Sequence, residues 1–238
     1  MLSDYILAEK IEVEISQCVH FAGFRYGHNE YNPYETYIID LHNKVDEEVR
    51  RTKFIEFLQY YRPMNFGEAL GIALSKSYPL WQYPWVANIQ NGYNATDMQP
   101  VEIPDIITHF SKAGVPYNRI LGEFDALESA YYSIAERGYL PDKFGFAEVI
   151  LLVGESPSSK AFILKDGNHR VSAMSALGMQ SFVAKLNRKN IIRRNEATSW
   201  PGVLSGFFTL PDALEIFDAY FSGNYAYRLS DVPANLII

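Results

Sequence analysis

The sequence predicts an α+β protein, with a mixed sheet and helices packed on it, a mixed N-terminal extension and a C-terminal helix. Three observations carry that reading. Residues 160–186, KAFILKDGNHRVSAMSALGMQSFVAKL, run as strand, tight turn, short helix and strand. Ahead of them, Phe124, Leu127, Tyr131, Ile134 and Ala135 recur at helical spacing over 123–137, and an apolar strand follows at 147–153. Amphipathic runs at 43–61 and after Thr209 place helices on both flanks of this core.

Composition sets the limits. Of 238 residues, 48% are hydrophobic and 21% charged, which describes a globular chain with ample material for a core. Aromatic residues reach 15%, as expected for large buried faces or an aromatic-lined pocket. The formal net charge of −7 argues against a dedicated DNA binder, because phosphate neutralisation favours a basic surface. Lys185, Arg188, Lys189, Arg193 and Arg194 form a local basic cluster, read either as a solvated edge or as a rim for an anion. The single cysteine, Cys18, excludes an internal disulfide framework and any CxxC motif. Acids occupy the N-terminus where a signal peptide needs bases, and no apolar run is long enough to span a membrane, so a cytoplasmic protein is expected.

In chain order, 23–29 reads as an exposed loop and 37–39 as a short strand, with His20 and His28 at no metal-binding spacing. The helix over 43–61 carries Asp46, Glu47 and Glu48 at its positive end. Asn65-x-x-Glu68 is a capping box for a short helix through Leu74. Residues 78–85, YPLWQYPW, are too interrupted by proline for a regular element and read as a loop whose rings plug the core or wall a pocket. A long connection at 88–104 suggests a boundary, with a short helix carrying His109 after it. This divides the chain into an extension, 1–115, and a second unit, 116–238. Within 160–186, Asp166-Gly167-Asn168 signals the turn, Val171, Met174 and Leu177 mark the helix, and Gly178 closes it. The first helical turn then carries Asn168, His169 and Arg170 beside unpaired amides, which together suit phosphate; a solvated helix start is the competing account. Residues 181–186 return as a strand, and Thr209-Leu210-Pro211-Asp212 caps the last helix.

Asp166-Gly167-Asn168-His169-Arg170, followed by Ala173 and Leu177-Gly178, resembles the nucleotide-binding motif of the ParB/sulfiredoxin superfamily, roughly G-x-[HR]-R-x-x-A with Leu-Gly closing the helix. The resemblance covers about 117–186 and implies a ParB/sulfiredoxin-like mixed sheet. Sulfiredoxins carry a nucleophilic cysteine where this chain has Asn168, which argues against sulfinic acid repair. The CTP-dependent DNA clamps of chromosome partitioning continue into a helical DNA-binding domain, whereas the segment after Leu186 is short and holds one clear helix. The free-serine kinase branch has a motif similar to D-G-x-H-R, matched at Asp166, Gly167, His169 and Arg170.

That last resemblance implies a phosphotransferase using Mg²⁺ with ATP, ADP or CTP on a small-molecule hydroxyl. Asp166 and His169 would position metal-bound phosphates or the accepting hydroxyl, Arg170 would hold phosphate oxygens, and Gly167 and Asn168 would complete the nucleotide-binding turn. A glutamate base is also implied, with Glu123 the nearest candidate and Asp125 beside it; both equally suit acids serving a helix dipole. No residue is assigned as a metal ligand, and a homodimer is left open. The alternative is a non-catalytic or slowly hydrolysing CTP/ATP-binding switch or scaffold. The chain has no P-loop, no G-x-G-x-x-G dinucleotide loop, no H-E-x-x-H zinc motif and no H-R-D or D-F-G kinase signature.

Overall fold

The computed structural model describes residues 9–27, 32–80, 82–86, 117–156 and 158–222. Five described strands form one mixed sheet in the order β1-β5-β3-β4-β2. They are β1 (Glu9–Glu14), β2 (Cys18–Val19), β3 (Ala147–Val153), β4 (Lys160–Asp166) and β5 (Ser181–Arg193). The β3–β4 and β1–β5 pairs are antiparallel, and β3–β5 and β2–β4 are parallel. The described helices are α1 (Pro33–His42), α2 (Glu47–Tyr60), α3 (Phe66–Leu70), α4 (Tyr117–Arg137), α5 (Pro141–Phe144), α6 (Asn168–Ala176), α7 (Pro201–Leu204) and α8 (Leu210–Ser222). The α+β class expected from the sequence is therefore present. None of the described helices is long and apolar enough to cross a membrane.

The sheet is covered on both faces, and β4 shows how. Phe162 and Leu164 join a core with Val149, Phe182 and Ala184 of the sheet, Val171 and Met174 of α6 and Ile134 of α4. Ala161 and Ile163, pointing the opposite way in a strand of period two, join a second core with Ile216, Phe217 and Tyr220 of α8. Phe24, Phe54, Phe57 and Phe124 extend that second core between α1, α2 and α4.

The sheet draws on both sides of the boundary inferred at residue 115. Strands β1 and β2 come from the N-terminal segment and pair with β5 and β4, forming the two edges. Two local expectations are corrected there. Residues 37–39 are helical, not a strand: Asn32 accepts hydrogen bonds from the Tyr34 and Glu35 amides, and Pro33 pre-sets the first turn. The segment beginning at Gly23 is not an exposed loop, since Phe24 and Tyr26 are buried.

Other elements sit close to expectation. Asp46 caps α2, Gly138 closes α4 with φ +74°, and β5 continues past 186 to Arg193. Asn65 Oδ1 accepts the Glu68 amide as expected, while the Glu68 carboxylate accepts from the Met64 amide; α3 ends at Leu70 rather than Leu74 because Gly71 turns left-handed at φ +66°. In the proline-rich aromatic run, Tyr78, Leu80 and Trp85 are buried, and Trp85 meets Trp200 and Phe217 edge-on at 5.4 and 5.8 Å. The run plugs the core. The connection at 88–104 and the helix with His109 lie outside the described residues. The basic cluster is largely matched by acids: Lys185 to Glu148, Arg188 to Glu9, Arg193 to Glu196, and Arg194 to both Glu155 and Asp218.

Buried Asp212 ties the start of α8 to the segment after α3. Its carboxylate accepts from the Ser75 amide at 3.0 Å, from the Ser75 hydroxyl and from the Tyr78 hydroxyl at 2.7 Å. Burial pushes its pKa up, but these donors outweigh that effect and hold it at about 2. The folded-state value lies below the ordinary 3.8, so the stabilisation is present above pH 3.8 and is lost as pH falls towards 2. Asp212→Ala is expected to cost about 1–3 kcal/mol in urea denaturation at pH 7, chiefly through the buried Tyr78 hydroxyl it strands. An Asp212→Asn variant should lose the part of the acid-induced destabilisation confined to that pH window.

Candidate functional site

The site is built where β4 hands the chain to α6. Gly167 makes the turn with φ +92°, and a Cβ there would lie 2.7 Å from the Ala147 Cβ, so no other residue fits. Because glycine is the N-cap, no side chain caps α6, and its first-turn amides stay open to an outside acceptor. The turn borders a cavity of about 420 Å³ lined by His20, Tyr34, Glu123, Lys165 and the 166–170 segment, among others.

Across that cavity, His169 Nε2 lies 2.9 Å from Glu123 Oε2. An ionised carboxylate can only accept, so in this pair the imidazole donates from Nε2. The side chains are partly covered, at 34% exposure for His169 and 15% for Glu123. Glu123 lies well inside α4, which begins at Tyr117. The helix-dipole role is therefore lost, because that effect fades beyond the first turn. Asp125 is exposed and does not line the cavity.

Arg170, expected to hold phosphate, lines the cavity with its guanidinium engaged by protein groups. Its guanidinium bonds the Gly145 carbonyl, reaches the Phe144 and Phe146 carbonyls at 3.4 and 3.5 Å, and pairs with Asp166 at 2.9 Å. The planar fork is spent on the loop ahead of β3, strapping that loop to α6. Asp166 itself is exposed at the mouth of the cavity. Asn168 lines the cavity, and its Oδ1 accepts from the Tyr26 hydroxyl at 3.0 Å.

Two further residues line the cavity: His20, which sequence spacing marks only as no metal ligand, and Tyr34, which it does not mark at all. His20 is 1% exposed, with its ring against Phe21, Phe24 and Tyr34. Its Nδ1 accepts the Ala22 amide at 3.2 Å, which fixes the neutral tautomer with the proton on Nε2. Tyr34 is kept protonated by burial, with the charge of Glu123 adding to the effect. Nothing in linear spacing places either residue here; the fold alone brings them to α6. Cys18 lies outside this cavity, and burial pushes its thiol pKa up, so it is no nucleophile. No group of three His, Cys, Asp or Glu side chains among the described residues is arranged to hold a metal ion.

Comparison with protein-family models, with curated proteins and with solved structures finds no match to this chain.

The close approach at Gly167 and the Arg170 strap yield two expectations. Gly167→Ala should cost about 1–3 kcal/mol of unfolding free energy, from positive φ and the clash with Ala147. Arg170→Lys should destabilise nearly as much as Arg170→Ala, because a single ammonium cannot span the same carbonyls. Urea denaturation of the variants measures both effects.

Proposed function

We propose that this protein binds nucleotide as a member of the ParB/sulfiredoxin-like superfamily and transfers phosphate from an NTP or NDP to a small-molecule hydroxyl. The observation that carries the reading is the Glu123–His169 pair, 2.9 Å apart beside the uncapped start of α6 in a ligand-sized cavity. Open amides and a helix dipole accept phosphoryl oxygens without any special motif. Lys165, also at the cavity, adds positive charge.

In this reading the acceptor hydroxyl attacks the terminal phosphorus of ATP, ADP or CTP. The new O–P bond forms as the bond from that phosphorus to the bridging oxygen breaks, and ADP, AMP or CDP leaves. Glu123 takes the hydroxyl proton, and His169 holds that carboxylate in place. Mg²⁺ would neutralise the phosphates; it binds through one or two carboxylates plus substrate oxygens rather than a full protein cage. Asp166, exposed at this cavity, would hold it on giving up its bond to Arg170.

The engagement of Arg170 favours a second reading, a nucleotide-binding switch or scaffold that turns over slowly or not at all. With that fork spent on carbonyls, it supplies no free cation to the transition state.

A thermal-shift panel of ATP, ADP, CTP and GTP with Mg²⁺ tests the shared premise. One nucleotide should raise stability by about 2.7 kcal/mol at a hundredfold excess over its Kd. No shift with any of them overturns both readings. Glu123→Gln should retain that binding while acceptor-dependent turnover falls about 10²–10⁴-fold. Nucleotide binding with no acceptor-dependent turnover in the wild type decides for the switch.

A further inference from the structure

Tyr26 reaches the start of α6 from the far end of the chain. It is fully buried, on the short segment that follows β2, and its hydroxyl donates to Asn168 Oδ1 at 3.0 Å. Burial raises its pKa far above the ordinary phenol range, so the hydroxyl keeps the proton it donates. A carboxamide has one accepting oxygen and one donating nitrogen. With Oδ1 accepting from Tyr26 in this orientation of the Asn168 amide, Nδ2 is left to donate. The backbone on this side is held as well, since the Asn168 carbonyl accepts the Ser172 hydroxyl at 2.9 Å.

We propose that Tyr26 is a positioning residue: it fixes the Asn168 amide so that Nδ2 donates to a phosphoryl oxygen of the ligand, beside the first-turn amides of α6. The inference rests on the reading of this cavity as a phosphate-binding site. It adds a neutral side-chain donor to the backbone amides, beside the charge of Lys165 at the same cavity. Such a set of donors selects a ligand that presents oxygen acceptors at this point and rejects one that presents N–H or ammonium there, because two donors would then face each other. The selection is by hydrogen-bond polarity.

Tyr26→Phe removes the hydroxyl and keeps the ring in its buried setting. The probes are inorganic phosphate and the Mg²⁺ salts of ATP, ADP and CTP, titrated by calorimetry into wild type, Tyr26→Phe, Asn168→Ala and the double variant. Each single change should weaken binding of the accepted probe about tenfold, the scale of one well-made hydrogen bond to a charged acceptor. The double variant should bind no worse than Asn168→Ala alone, since the two residues act as one unit. A merely structural role for Tyr26 would give additive losses. Additive losses, or wild-type affinity in Tyr26→Phe, overturn the positioning role and leave the phosphate site standing. Absence of binding by the wild type to every probe overturns both. Should Tyr26→Phe not fold, Asn168→Asp decides: it keeps an acceptor for Tyr26 but replaces the donating nitrogen with oxygen, so phosphate binding should be lost. Binding at wild-type affinity in that variant overturns the proposal.

Discussion

The approach of Gly167 to Ala147 is the constraint from which the site geometry follows. Two backbones meet at a distance that leaves no room for a Cβ, and the chain turns there in a conformation that L side chains avoid. This contact seats the start of α6 directly on the first residue of β3. Every group of interest is then placed by its offset from that point. His169 faces α4, Arg170 folds back to the loop before β3, and Asn168 meets the N-terminal segment. A larger residue at 167 would shift all three together.

The second determinant is the aromatic packing that brings α1 and α4 to the cavity. Tyr37 lies against Phe54 and Phe124, and Tyr34 against Phe54, Phe57 and the His20 ring. Phe124 is the neighbour of Glu123 in sequence, so burying its ring in this cluster also presents the carboxylate to His169. The high aromatic content is thus the means by which the acid is held. Packing and chemistry share adjacent positions on one helix.

Much of this was legible in the sequence where local rules dominate. The strand, turn and helix over 160–178 follow from apolar spacing and glycine chemistry, and α2, α4 and α8 from periodicity and caps. Glu123 was reachable as a candidate, though its partner was not. Tyr37-Ile38-Ile39, aromatic and β-branched, favours a strand locally, where the structure has helix α1. Yet Tyr34, Tyr37, Ile38 and Leu41 keep helical spacing behind an Asn-Pro start, and that signal prevails. The role of Arg170 was illegible for a different reason: a guanidinium suits carbonyls and phosphates alike, and only the loop at 144–146 decides between them. His20, Tyr34 and Tyr26 come from a remote segment with no motif, and pairing of that segment with the sheet is a tertiary event.

That pairing bears on how the chain acquires its structure. Strand β1 hydrogen-bonds β5 in register Glu9 to Leu186, and β2 lies beside β4 with Cys18 opposite Phe162. Both margins of the sheet are closed by residues made well before their partners, which lie far along the sequence. Closing so long a loop carries a large entropic cost before any contact rewards it, which slows the search for the native arrangement. During synthesis the early segment must wait without its partners, and β4 and β5, once made, keep open margins until it arrives. Open margins are templates for pairing with other chains, so this topology places the hazard of misassembly in the interval before the sheet closes.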